Sequence, residues 1–496
     1  MKKPNIIYIL ADDMGYGDVS ALNENCAFKT TYIDQMCENG LAFTDAHTTS
    51  SVCTPSRYGI LTGRYNWRSR LKSQVMGGYS SHLIEDGRTT LATLLKRNGY
   101  YTCAIGKWHL GMDFETFTDF EERPNYYPLN SDNIYDGVDY SKAIKFSPIT
   151  NGFDYYYGIS ASLDMPPYTY IENDRFTKAP TFFKTVEPGK SWYRPGPCAD
   201  DFIHEEVLDN LCDKVLQQID NHKNSPFFIY FPMPAPHGPI LPTKEFFGKS
   251  GTNEYGDFVL QCDDVVGRIT RKVEELGISD NTIIVFTTDN GCSPIADIDE
   301  LSQFNHNPSY VFRGMKADIY EGGHRIPYVI QWPNKIPQHS KCDKTVCLCD
   351  FMSTIAEYLG DTLSDNEAVD SVSNLSLWYE PKSDPVREYT VHQSVNGSLA
   401  IRKGNYKLEM CLGSGGWSYP KGNIESLEGY PSFQLYNLAD DIGETTNIIN
   451  QNQEIFIELR DILIKCIKDG RSTKGAVQKN DGEKIWCTIK WIEEFI

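Results

Sequence analysis

Asn5-Ile6-Ile7-Tyr8-Ile9-Leu10-Ala11-Asp12-Asp13 opens the chain with an apolar run that stops on two carboxylates. A run without polar alternation reads as a strand buried on both faces. Tyr101 to Ile105, Phe227 to Phe231 and Thr282 to Thr287 read the same way. Between them lie helical patterns: Thr90 to Asn98 closed by Gly99, and Asp257 to Leu276 closed by Gly277. This alternation predicts an α/β fold, a large mixed, mostly parallel sheet sandwiched by helices. Residues 112–200, rich in Tyr, Pro, Asp and Asn, read as long inserted loops. Further on, Ser398 to Arg402, Tyr406 to Met410 and Phe433 to Leu438 read as short strands, and Glu454 to Lys468 as a helix. The expected organisation is a main domain over 1–370 and a smaller C-terminal α+β domain over 371–496 with a short antiparallel sheet.

Open α/β sheets bind ligands at the carboxyl ends of their strands, and all four runs end in polar chemistry. The first ends in Asp12-Asp13 and the second in Gly106-Lys107-Trp108-His109. Pro234-Ala235-Pro236-His237 follows the third, and Asp289-Asn290-Gly291 the fourth. Asp12, Asp13, Asp289 and Asn290 make an all-oxygen set suited to a hard divalent cation, Ca²⁺ or Mg²⁺. Taken singly, an Asp after a strand reads as a turn or helix-cap residue, and for a lone Asp-Asp pair that reading is favoured; the matching pair after the fourth run shifts the balance. Lys107 and His109 occupy alternate positions and project to one side if the chain stays extended, a cation beside a proton carrier. His237 follows three prolines that fix a strand exit. Lys316 and Arg313 precede Glu321-Gly322-Gly323-His324-Arg325, where His324 and Arg325 read as structural. In Cys53-Thr54-Pro55-Ser56-Arg57, Thr54 reads as a helix cap, Pro55 as the first helical residue, and Gly63 as the stop. Cys53 then sits at the positive end of a short helix beside Arg57, where an anion or a thiolate is favoured.

With 47 basic and 67 acidic residues the net charge is −20. Such a surface disfavours nucleic acid and anionic membranes, so an anionic substrate needs a local cluster of cations. Met1-Lys2-Lys3-Pro4 leads directly into the first strand without a secretion signal, and no apolar run is long enough for a membrane span. The expected location is cytoplasmic. Fourteen cysteines are scattered, with Cys342, Cys347 and Cys349 as the one cluster. They read as reduced, buried thiols, with a disulfide framework as the alternative.

Cys53 to Arg57 resembles the Cys-x-Pro-Ser-Arg signature of the type I sulfatases of the alkaline phosphatase superfamily. The opening Asn5 to Asp18, Gly106-Lys107-Trp108-His109-Leu110-Gly111, Pro236-His237-Gly238-Pro239, Thr288-Asp289-Asn290-Gly291 and Glu321 to Pro327 are similar to that family's blocks, in order. Ala400 to Leu408 and Leu435 to Leu438 resemble its closing blocks. The resemblance implies an alkaline phosphatase-like sheet and oxidation of Cys53 to formylglycine by a maturation enzyme. The hydrate of that aldehyde would attack sulfur beside a calcium held by Asp12, Asp13, Asp289, Asn290 and residue 53. It further implies that Arg57 favours the ionised nucleophile and that Lys107 and Lys316 hold the sulfate. His237, with Lys316, would protonate the leaving alcohol, and His109 would take the proton that releases sulfate.

Asn151 to Asp154, Ser162 to Tyr168 and Arg57 to Arg68 resemble bacterial N-acetylgalactosamine-6-sulfatase-type enzymes. The implied substrate is a sulfated sugar, galactose or N-acetylgalactosamine 6-sulfate, cleaved by exo action. Trp67, Arg68, Asp164 and His392 are candidate sugar contacts, since aromatic faces and carboxylates suit sugar rings, though packing roles suit them equally. The rival readings are an aryl or steroid sulfatase, a phosphatase or phosphodiesterase of the same superfamily, a cysteine hydrolase, and a non-catalytic sulfoglycan-binding protein.

Overall fold

In the computed structural model, which describes residues 3–117, 137–421 and 428–495, the four apolar runs become strands of one ten-stranded sheet. Each extends past its apolar stretch toward the polar end: Asn5–Asp12, Tyr101–Lys107, Phe227–Pro236 and Thr282–Thr288. Across the sheet the order is Ser340–Cys342, Leu41–Phe43, Tyr328–Gln331, Thr282–Thr288, Asn5–Asp12, Phe227–Pro236, Tyr101–Lys107, Tyr155–Ile159, Ile171–Glu172 and Arg175–Phe176. The five central strands, from Thr282 to Ile159, run parallel. Tyr328–Gln331 is antiparallel to its neighbour, which makes the sheet mixed.

From Ile6 to Ala11 the first strand is apolar because both faces are covered. Ile7, Ile9 and Ala11 enter one core with Ile33, Val215 and Val265 from the helices Thr31–Glu38, Val207–His222 and Glu254–Glu275. Ile6, Tyr8 and Leu10 enter the other with Leu61, Leu94 and Ile355 from Cys53–Thr62, Leu91–Arg97 and Phe351–Leu359. Asn253 caps the long helix through the backbone N–H groups of Tyr255 and Gly256, so it begins ahead of its apolar stripe.

Residues 112–200 depart from the loop expectation, whose 118–136 portion lies outside the described residues. Tyr155–Ile159 is the fifth central parallel strand, and Phe182–Lys184 pairs with Gly196–Cys198 in a separate two-stranded sheet. Within the fifth strand Tyr156 and Tyr157 pack on opposite faces of the large sheet.

The C-terminal part holds a four-stranded antiparallel sheet, Thr390–Gln393, Leu399–Lys403, Tyr406–Glu409 and Gln434–Asn437. Its first strand was not expected. The helix Gln453–Asp469 covers it, with Leu459 and Leu463 packed in one cluster with Ile401 and Leu408. Gln393 bridges to Ser50, three residues before Cys53. All fourteen cysteines are free thiols. Among the described residues no helix is long and apolar enough to cross a membrane.

Candidate active site

Every central parallel strand delivers a side chain to one spot at its carboxyl end. Asp12 ends the first strand and Lys107 the third in sheet order from it, while Asp289, His237 and Ser162 lie just beyond their strands. An extended chain would send Asp12 and Asp13 to opposite faces. Asp13 instead turns into the left-handed region, φ 67°, which breaks the alternation at the strand exit.

Val52 is the N-cap of the helix Cys53–Thr62, and Gly63 closes it in the left-handed conformation. Thr54 does not cap it: its hydroxyl donates to the His109 carbonyl at 2.9 Å and accepts from the Met76 N–H at 3.2 Å. Arg57, one turn after Cys53 on the same face, donates to Asp289 Oδ2 from Nε at 3.0 Å and from Nη2 at 2.7 Å. Cys53 Sγ lies 3.6 Å from Asp12 Oδ1. Lys107 Nζ donates to Asp12 Oδ2 at 2.6 Å and to Ser162 Oγ at 3.2 Å. Lys316 Nζ donates to Asp13 Oδ2 at 2.7 Å, and Asn290 Nδ2 to Asp13 Oδ1 at 2.7 Å. His237 Nε2 stands 3.6 Å from Asp13, with its Nδ1 3.2 Å from Ser162 Oγ.

His109 does not continue an extended strand. Its φ is 56°, and Nε2 donates to the Met76 carbonyl at 2.7 Å, which leaves Nδ1 buried without a partner. Burial, then Lys107 and Arg57, hold its basicity well below the ordinary histidine range. Burial and Lys316 also lower His237. Burial alone would raise Asp12, but Lys107, His237 and Arg57 outweigh it and hold the carboxyl well below its usual range. Asp289 is pushed up to about 6, by burial and then by Asp12. The expectation of a thiolate at Cys53 fails: burial raises the thiol, and Lys107 and Lys316 do not offset it. As a thiol this sulfur is neutral and faces a carboxylate, which argues against a cysteine hydrolase.

Do these residues suit a hard cation? Asp12, Asp13, Cys53 and His237 each bring one ligand atom within 4.8 Å of the others, and Asp289 and Asn290 add a carboxylate and an amide oxygen from the neighbouring strand end. Asn290 Oδ1 is buried with no hydrogen-bond partner. Asp12, Asp13 and Asp289 are balanced in charge by Arg57, Lys107 and Lys316. A divalent ion would leave two positive charges, the complement of a singly charged ester and an ionised nucleophile. The donor set fits.

Cys53, His109, His237 and Lys316 line a cavity of about 250 Å³ together with Asp164, Arg194, Trp192 and Trp417. Asp164 and Arg194 form an ion pair there. Three proposed sugar contacts lie elsewhere. Trp67 is buried in the C-terminal core with Arg68 stacked over it. Arg68 pairs with Asp370 through Nε at 2.7 Å and Nη2 at 2.8 Å. His392 is wholly buried and stacks on His324. Ser162 and Arg194 are contacts the sequence reading missed; Ser162 stood in a segment read as loop. Arg325 pairs with Glu321 at 3.2 Å and with Asp45 at 3.3 Å, a structural position as expected. A larger open groove of about 900 Å³, around 385–389 and 402–406, contains none of the strand-end residues.

A mostly parallel sheet that gathers carboxylates, cations and a helix N-terminus at its carboxyl edge has the layout of an open α/β sheet with a ligand site at its strand ends. A family model described as Sulfatase matches residues 4–361. An N-acetylgalactosamine-6-O-sulfatase of Bacteroides thetaiotaomicron is 32% identical over 93% of this chain and 93% of its own. Human N-acetylgalactosamine-6-sulfatase is 27% identical over 93% and 88%, and human steryl-sulfatase 29% over 79% and 72%. A solved 6S-sulfatase of B. thetaiotaomicron, tied to the metabolism of multiple glycosaminoglycans, superposes with TM-score 0.77 at 30% identity, covering 93% of this chain and 99% of that one. The chain belongs to the sulfatase family and is a sulfuric ester hydrolase.

Proposed function

We propose that this sulfatase removes the 6-sulfate from a terminal galactose or N-acetylgalactosamine, using a formylglycine made from Cys53 by a maturation enzyme. The observation that carries the reading is Cys53 Sγ on the wall of the cavity, 3.6 Å from Asp12 and among the oxygen donors. Asp12, Asp13, Asp289 and Asn290 would hold the divalent cation, Ca²⁺ in our reading with Mg²⁺ as the alternative. When in place, that cation and the aldehyde hydrate at position 53 supply Lewis acidity and an oxygen nucleophile.

Arg57 draws negative charge toward residue 53 and keeps Asp289 ionised by its two hydrogen bonds. Lys107 and Lys316 present ammonium groups to the sulfate oxygens as charge moves to the leaving group. His237 Nδ1 donates to the Gly238 carbonyl, so Nε2 is the atom that exchanges a proton. Burial and Lys316 disfavour its charge, and the bound anion counters both. It then passes the proton to the departing sugar oxygen, with Lys316 beside it. His109 keeps Nδ1 as a bare lone pair, held in that tautomer by Met76, and serves as the base for the release of sulfate.

The cavity is smaller than the roughly 300 Å³ at which sites for drug-sized ligands begin, which suits one sugar ring and exo action. Asp164 and Arg194 meet sugar hydroxyls, and Trp192 and Trp417 offer ring faces. Matured protein assayed on galactose and N-acetylgalactosamine 6-sulfates, an aryl sulfate, a steryl sulfate and an aryl phosphate tests the reading. The 6-sulfated sugars should give the highest kcat/KM. A preference for steryl or aryl sulfate would remove the sugar assignment, and preference for phosphate the reaction itself.

A further inference from the structure

Away from the cavity, three histidines from distant segments meet: His47 on the short strand Ala46–His47, His324 ending Glu321–His324, and His392 on Thr390–Gln393. All are fully buried, and one ring nitrogen of each lies within 4.8 Å of the others. The opposite nitrogens face oxygens. His324 Nε2 is 3.0 Å from the Ile319 carbonyl, His392 Nδ1 3.0 Å from the Thr48 carbonyl, and His47 Nε2 2.9 Å from Asp45 Oδ1. Carbonyls and carboxylates only accept, so these nitrogens carry the protons. His47 Nδ1, His324 Nδ1 and His392 Nε2 are left as lone pairs turned inward. The first two are 3.0 Å apart, and the third has no hydrogen-bond partner. Reversing the His47 tautomer would set a lone pair against Asp45, with Arg402 Nη1 at 3.1 Å left to satisfy it. His392 Nε2 stays bare either way.

We propose that His47, His324 and His392 bind a second metal ion, a borderline divalent cation of the zinc type, in a buried three-histidine site distinct from the oxygen site beside Cys53, with the fourth position left to a water. Three neutral imidazoles suit zinc and offer little to calcium or magnesium. Each ligand's far nitrogen is already fixed by an oxygen, the arrangement that orients metal-bound histidines. Zinc–nitrogen bonds of about 2.0–2.1 Å in tetrahedral geometry hold nitrogens roughly 3.3 Å apart. The stacked rings of His324 and His392, 3.9 Å between centroids, must therefore splay. The adjoining ion-pair network joins four carboxylates, Asp45, Glu321, Glu409 and Glu444, to three cations, Arg325, Arg402 and Lys407. Burial, and Glu444 beside it, raise the Glu409 carboxyl well above its usual range, so the network closes without charge from the rings.

Such an ion would staple the small sheet to the approach of Cys53. Thr48 N–H donates to the His324 carbonyl at 2.9 Å and Ser51 N–H to the Gln393 carbonyl at 2.9 Å, while the Ser51 carbonyl accepts from Ala317 N–H at 2.8 Å, next to Lys316.

The test uses untagged full-length protein, stripped with a chelator, equilibrated with Zn²⁺ in excess Ca²⁺, and desalted. It should keep about one zinc per chain by mass spectrometry of the elements and melt at a higher temperature than the stripped form. His392→Gln and His47→Gln should each lose the zinc at least tenfold, whereas Cys53→Ala should keep it. Less than about a tenth of an equivalent in the wild type, or zinc undiminished by either glutamine variant, overturns the proposal. Because those variants risk misfolding, Co²⁺ is also loaded into the wild type. Visible bands of four-coordinate, nitrogen-bound cobalt support the site, and their absence overturns it.

Discussion

A neutral thiol facing a carboxylate makes position 53 a poor nucleophile until its sulfur is replaced, and a serine there would attack but be left as a stable sulfate ester. Cys53→Ser should therefore release at most one equivalent of alcohol per site in a pre-steady-state burst; continued turnover would remove residue 53 from the centre of the mechanism. Arg68 tests a different point. Its guanidinium is wholly buried against Asp370, and leaving such a carboxylate unpaired costs about 3–5 kcal/mol. Arg68→Met should lower denaturant stability on that scale while KM for the sugar sulfate stays within about twofold. An unchanged stability with a raised KM would return Arg68 to the list of sugar contacts.

At the scale of elements, the strands were legible where apolar residues run without alternation, as in Asn5 to Leu10, since burial on both faces leaves no polar phase. Their polar ends pointed to the site for the same reason. What lay hidden depends on distant partners. Tyr155–Ile159 was missed because its tyrosines take their burial from both cores. The turn at His109 and the capture of Thr54 by its carbonyl are likewise invisible in local spacing. Trp67, Arg68 and His392 have the side chains of sugar binders, and only Asp370, His324 and the C-terminal core reveal them as packing. The layer outside the fifth strand carries its own prediction. His204 stacks on Tyr193 and accepts from Lys184 Nζ at 3.1 Å. Burial, then Lys184, hold its pKa down to about 3. Above pH 6.5 the ring is neutral folded or unfolded and has no effect. As pH falls below 6.5, the unfolded chain takes a proton that the folded one refuses, and stability is lost. Between pH 6.5 and 5.5 the wild type should lose about 1 kcal/mol more than His204→Gln in denaturant unfolding. Parallel pH dependences would contradict the assignment.

For the molecule as a whole, the parallel sheet acts as a frame whose carboxyl edge collects charges from segments as distant as Asp12 and Lys316. Its surface charge of −20 repels the anionic esters that the site accepts, so recognition is local. Removal of divalent cations should then abolish turnover, with Ca²⁺ restoring it; full activity in a metal-free preparation would contradict the oxygen site. The most direct measurement is the mass of the peptide spanning residue 53, taken from protein produced with a formylglycine-generating enzyme and assayed in parallel. The thiol should be replaced by an aldehyde, and kcat on 6-sulfated sugar should rise in proportion to the converted fraction. Full sulfatase activity from protein whose Cys53 is entirely unmodified would contradict the account.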